Sequence, residues 1–153
     1  MFFKLLLLSL FLSQANSDNC SSIDKLRADY HLLETGQQIN EFVDNFSPSL
    51  CIYSIPYVAS AIMMKAEHTR LPHHKLEHFL KGKRMLEGFI SEHPENIEGR
   101  YVRLLVQSHS PKFLGYHDHI EDDLFFIERN LADSEISITY QNQIKQQINS
   151  LEQ

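Results

Sequence analysis

Glycine and proline are scarce, with five of each in 153 residues. That scarcity excludes a collagen-like or low-complexity chain, and a hydrophobic content of 42% excludes a wholly disordered one. There is no dense basic run. Fourteen Lys and Arg stand against twenty Asp and Glu, a formal charge of -6, so the chain as a whole is a poor candidate for nucleic acid or an anionic membrane surface. No apolar stretch reaches the roughly 20 residues that a membrane-crossing helix needs. No segment of useful length alternates with period two, so strands are not expected. A G-x-S-x-G motif is missing. So is the upstream glycine that would turn Lys81-Gly82-Lys83-Arg84 into a phosphate loop, and that run reads as a solvated basic face.

What is present begins with a leader. Lys4 supplies a positive start, Leu5 to Leu12 form a short apolar run, and small residues follow through Ser17. This pattern predicts a signal peptide over 1–17, cleaved near Asn16 or Asp18, and a single all-helical domain over 18–153. The expected compartment is periplasmic or extracellular. Asp18-Asn19 before Cys20 do not fit a lipoprotein site. In an oxidising compartment, two cysteines favour a Cys20–Cys51 bridge over two buried thiols.

Six or seven helices account for the rest. Apolar spacing and turn signals place the first from Ser21 or Ser22 to about Thr35, stopped by Gly36, and a short second over 37–45. A third covers 54–68, with Pro56 in its first turn. The longest follows Pro72 to about Glu92, with Leu76, Phe79, Leu80, Leu86, Phe89 and Ile90 on one side. A fifth, over 97–109, carries apolar residues on two faces and should be buried on more than half its circumference. A sixth runs over 120–131, and a seventh starts near Ser134. The class is all-α, built from antiparallel helical hairpins.

Gly82, Leu86 and Pro94 have the spacing of the second helix of a tetratricopeptide repeat, and this part of the chain resembles that family. There a small residue lets paired helices approach and a proline ends the second. The resemblance implies one hairpin and no repeat array. A longer stretch, over 53–131, is carried by Phe79-Leu80-Lys81-Gly82-Lys83, Pro94-Glu95-Asn96, Arg100-Tyr101-Val102-Arg103 and Pro111-Lys112-Phe113-Leu114-Gly115-Tyr116, with Ile120 and Asp123. It resembles a family of uncharacterised exported proteins from Bacteroidota. That likeness implies export and a helical fold, and brings no established chemistry.

Two constellations could carry chemistry. His74-Lys75-Leu76-Glu77-His78 matches the H-x-x-E-H of inverted zinc peptidases, whose two His share a helix face. Such enzymes use a larger α/β domain and a distant carboxylate ligand, so a solvated helix face is expected and no metal site is assigned. Arg100, Arg103 and Gln107 form a stripe on the fifth helix, and Glu121-Asp122-Asp123 open the sixth. Either an Arg pairs with Asp123 and fixes packing, or the Arg pair and Tyr116 line an anion-receiving cleft. Gly115 should supply a backbone conformation closed to side chains. Phe113 and Leu114 are expected to plug the core, and Phe125 and Phe126 to meet core or partner.

These features predict an exported helical protein that binds a protein or peptide partner along a helix groove, without a cofactor. Arg100, Arg103, Gln107, Tyr116 and Asp123 are the candidate binding residues. A hydrolase, zinc-dependent through His74 and His78, and a small-anion binder using Arg100 and Arg103 are the alternatives. Nucleic acid binding and stable membrane insertion after leader removal are not expected.

Overall fold

Three small residues in a row, Ala59-Ser60-Ala61, let other helices come close to α3 (Ile55–Met64), and α3 is the hub of the molecule. The computed structural model describes residues 20–49 and 51–151. Every residue of α3 from Pro56 to Met63 is buried. On one side lies α4 (Pro72–Glu92), joined to α3 by the connection 65–71 to make a hairpin. Gly82 is the contact point. A Cβ there would stand 2.3 Å from the Ala59 carbonyl oxygen and 2.5 Å from the Met63 side chain, so only hydrogen fits.

The remaining helices enclose α3. Tyr30, ending α1 (Ile23–Tyr30), shares a 2.8 Å hydrogen bond with Ser60, and Phe42 of α2 (Gly36–Phe46) packs on the Tyr30 ring. Next come α5 (Ile97–His109), α6 (Ile120–Asn130) against it, and α7 (Ile138–Leu151), which brings Tyr140 to Tyr57 of α3. The described residues contain these seven α-helices, two short 3₁₀ turns at Ile52–Ser54 and Lys112–Leu114, and no strand. The all-α expectation is met. The leader read over 1–17 lies outside the described residues.

Cys20 and Cys51 are joined in a disulfide, with Cα atoms 4.8 Å apart and a sequence separation of 31. It ties the start of α1 to the turn that feeds α3. Closing a loop of that length stabilises by about 3–4 kcal/mol in the chain-entropy model.

Several local expectations need correction. Gly36 does not stop α1, which ends at Tyr30; it is the first residue of α2. Thr35 and Gln38 form a reciprocal capping box, Thr35 Oγ1 accepting from the Gln38 N–H and Gln38 Oε1 from the Thr35 N–H, and this box sets the boundary. The third helix closes at Met64, and 65–68 continue only as tight turns. The seventh begins at Ile138, because Ser134 bonds back to the Leu131 carbonyl and closes the end of α6 instead. Leu76 and Leu80 are exposed, since they lie on a stripe of α4 that Tyr116 covers only farther along, at Lys83 and Glu87. Phe113 is 86% exposed and plugs nothing, whereas Leu114 packs at the core edge. Gly115 has φ +58°, the left-handed conformation expected of it.

Candidate functional site

The Arg stripe of α5 is where charge is concentrated and buried. Asp123 falls in the first turn of α6, is fully buried, and accepts two hydrogen bonds from Arg103, Nε to Oδ2 and Nη2 to Oδ1, both 2.7 Å. This is the bidentate fork geometry that guanidinium offers carboxylate. Arg103 Nη1 reaches Glu87 of α4 at 2.8 Å, and the Tyr116 hydroxyl donates to the other Glu87 oxygen. One guanidinium therefore fastens α4, α5 and α6 together. Arg100 adds a bond from Nη1 to Asp123 Oδ1 at 3.1 Å and one from Nε to the Pro94 carbonyl at 2.8 Å.

Burial works against the Arg103 charge, but Asp123 and Glu87 outweigh it, and its pKa is raised. Burial, and then the Glu87 carboxylate, push the Tyr116 phenol well above its ordinary range, so it stays a donor. Gln107 is fully buried. Its Oε1 accepts the His119 N–H at 3.0 Å and steadies the loop into α6, while Nε2 finds no acceptor among the described residues. All five sequence-predicted residues thus gather at the α5–α6 junction. Arg103, Gln107, Tyr116 and Asp123 are buried there, and Arg100 alone stands at the edge.

Beyond that edge, Arg100, Asp122, Phe125, Phe126, Arg129 and Asn130 line an open hollow of about 320 Å³. Arg100 stacks over the Phe126 ring at 4.3 Å and Arg129 over Phe125 at 5.2 Å. Phe125 is 59% exposed. Such a surface offers aromatic faces and guanidinium donors together. His74 and His78 lie on the projecting turns of α4, His74 exposed and His78 half-buried, and His73 packs edge-on against His74 at 4.2 Å. Among the described residues no group of three or more His, Cys, Asp or Glu is placed to hold a metal ion. The zinc motif therefore lacks a third ligand there.

A second polar cluster escaped the sequence reading. Arg27 of α1 forms a buried ion pair with Glu98 of α5, its Nε 3.0 Å from Glu98 Oε2. The Tyr57 hydroxyl donates to the same carboxylate and lies 2.8 Å from the Tyr140 hydroxyl, which His31 Nε2 meets at 3.2 Å. Arg27 also sits over the Tyr140 ring at 4.7 Å. Desolvation opposes the Arg27 charge, yet Glu98 prevails and its pKa is raised; burial drives Tyr57 and Tyr140 upward and His31 downward. The one available signal was a charged residue on an apolar stripe, Arg27 beside Leu26 and Tyr30, and Glu98 beside Ile97 and Tyr101. No protein-family model, curated protein or solved structure matches the chain, and its chemistry rests on the residues just described.

Proposed function

We propose that this is an exported helical binding module that takes a protein or peptide partner on the outer side of α6. The hollow between Arg100, Phe125, Phe126 and Arg129 is the observation that carries the reading. Exposed aromatic and Arg side chains are the types that dominate binding energy at protein interfaces. The opposite side of α6 is held by the Arg103–Asp123 fork, so the surface is presented on a rigid support and loses little freedom on binding. A partner segment with an apolar side chain next to a carboxylate matches the Phe faces and the two guanidinium groups. The disulfide agrees with an oxidising compartment, which supports export.

A photo-crosslinking residue at position 125, expressed in native cells, tests this directly. A discrete adduct is expected at Phe125, lost on Arg129→Glu, and absent when the probe replaces Leu32, which is at least as exposed and does not line the hollow. Equal labelling from both positions, or none from Phe125, would overturn the proposal.

A further inference from the structure

Helix α4 is much longer than the helix on which it packs. At 1.5 Å per residue, its 21 residues span about 31 Å against about 15 Å for the 10 residues of α3. Gly82 is already level with Ala59 and Met63, so the first turns of α4 project beyond the body, and residues 70–77 are all exposed. This overhang is not merely polar. Leu71, Leu76 and Leu80 are 50%, 51% and 40% exposed. Leu76, Leu80, Lys83 and Glu87 follow at steps of four, three and four, a single helical stripe. At Lys83 and Glu87 the stripe is covered by Tyr116, whose ring lies 4.4 Å from Lys83 Nζ and whose hydroxyl bonds Glu87. At Leu76 and Leu80 it is bare. The turn Lys112–Leu114 comes just before Tyr116, which packs on Phe79 of α4, and holds Phe113 out into solvent.

Charge is segregated in the same place. Residues 70–84 hold five of the fourteen Lys and Arg but one of the twenty Asp and Glu. Arg70, Lys75, Lys81, Arg84 and Lys112 are exposed, and Glu77 is the one exposed acid among residues 70–84. The acidic total of the chain hides a basic, leucine-bearing edge.

We propose that this edge, the α4 overhang with the Lys112–Leu114 turn, docks peripherally on an anionic lipid surface. Protruding Leu and Phe side chains suit a soft apolar medium that closes around them. The exposed lysines and arginines of the same segment supply the positive charge that anionic headgroups attract. Attachment is superficial and reversible, and no described helix is long and apolar enough to cross a membrane. This reading stands independently of the α6 hollow.

Sedimentation with vesicles tests it, using the protein recovered from its native compartment. Vesicles of phosphatidylcholine are compared with vesicles of phosphatidylcholine and phosphatidylglycerol in equal parts. Association with the anionic vesicles is expected, falling at least about tenfold in about 1 M salt and equally in Lys81→Glu/Lys112→Glu. Leu80→Ser/Phe113→Ser should lose at least about tenfold as well, since both apolar side chains leave the interface. Leu32→Ser should bind as wild type. All of these positions are exposed, so the helical circular dichroism of each variant should match wild type. No binding to anionic vesicles, binding indifferent to salt and lipid charge, or paired variants that bind as wild type would overturn the proposal. Adducts to a protein from a crosslinker at Phe113, with no vesicle binding, would reassign the edge to a protein partner.

Discussion

Asp123 is a carboxylate with no access to water, and its charge is matched by guanidinium alone. Removing either member of the Arg103–Asp123 pair breaks the fork and leaves the other with one remaining partner, Arg100 for Asp123 or Glu87 for Arg103, at a cost of up to about 3–5 kcal/mol, whereas removing both leaves less charge to bury. A double-mutant cycle with Arg103→Met and Asp123→Asn, followed by denaturant unfolding, should therefore show losses well short of additive. Strict additivity would break the assignment. His31 makes a different kind of statement. Burial lowers its pKa below the ordinary 6.5, so between the two values the unfolded chain binds more protons than the folded one. Stability rises with pH across that window; it is complete above about 6.5 and declines as pH falls toward the lowered value. His31→Gln should flatten the melting-temperature profile on the acid side of about pH 6.5, measured as the difference from wild type. A profile unchanged by the substitution would remove His31 from the acid response.

At the scale of the helices, two glycines of α4 offer a matched comparison. A methyl group at Gly82 would collide with the backbone of α3, while one at Gly88 would meet nothing within 4 Å. Gly82→Ala should destabilise by at least about 2 kcal/mol as the hairpin is forced apart. Gly88→Ala should stabilise by about 0.5–1 kcal/mol, because alanine is the better helix former in open surroundings. Chemical denaturation of both variants checks the pair, and a neutral Gly82→Ala would mean that α3 and α4 do not approach this closely. Local signals made α4 and α5 readable in the sequence: Pro72 opens one, Asn96 caps the other, and Pro94 separates them. Gly36 misled because a glycine stop and a Thr-x-x-Gln capping box overlap at the same residues. Leu76 and Leu80 misled because apolar spacing says which side chains share a face, not whether a neighbour reaches far enough to cover it, and Phe113 misled because residue type gives only a tendency to burial. The Arg103–Asp123 fork was legible, joining residues in consecutive helices. The Arg27–Glu98 pair spans 71 residues, and Tyr57 to Tyr140 spans 83, distances over which no sequence pattern carries information.

Across the whole molecule, α5 belongs to both polar clusters. Its Glu98 gathers α1, α3 and α7 through Arg27, Tyr57 and Tyr140, and its Arg103 gathers α4 and α6 through Glu87 and Asp123. A helix with two such attachments unites the α1–α3–α7 side with the α4–α6 side. The tyrosine side of this arrangement also has an optical consequence. The chain has six tyrosines and no tryptophan, so its ultraviolet fluorescence comes from phenols alone. An excited phenol is a far stronger acid than one in the ground state, and Tyr57 and Tyr116 each donate directly to a carboxylate ready to take the proton without light being emitted. Tyr30 sits 5.1 Å from Tyr57, close enough to pass its excitation to the same drain. The native protein should be dim and should brighten on unfolding, and Tyr57→Phe should brighten the native signal by closing the drain for Tyr30 while removing one emitter from the unfolded chain.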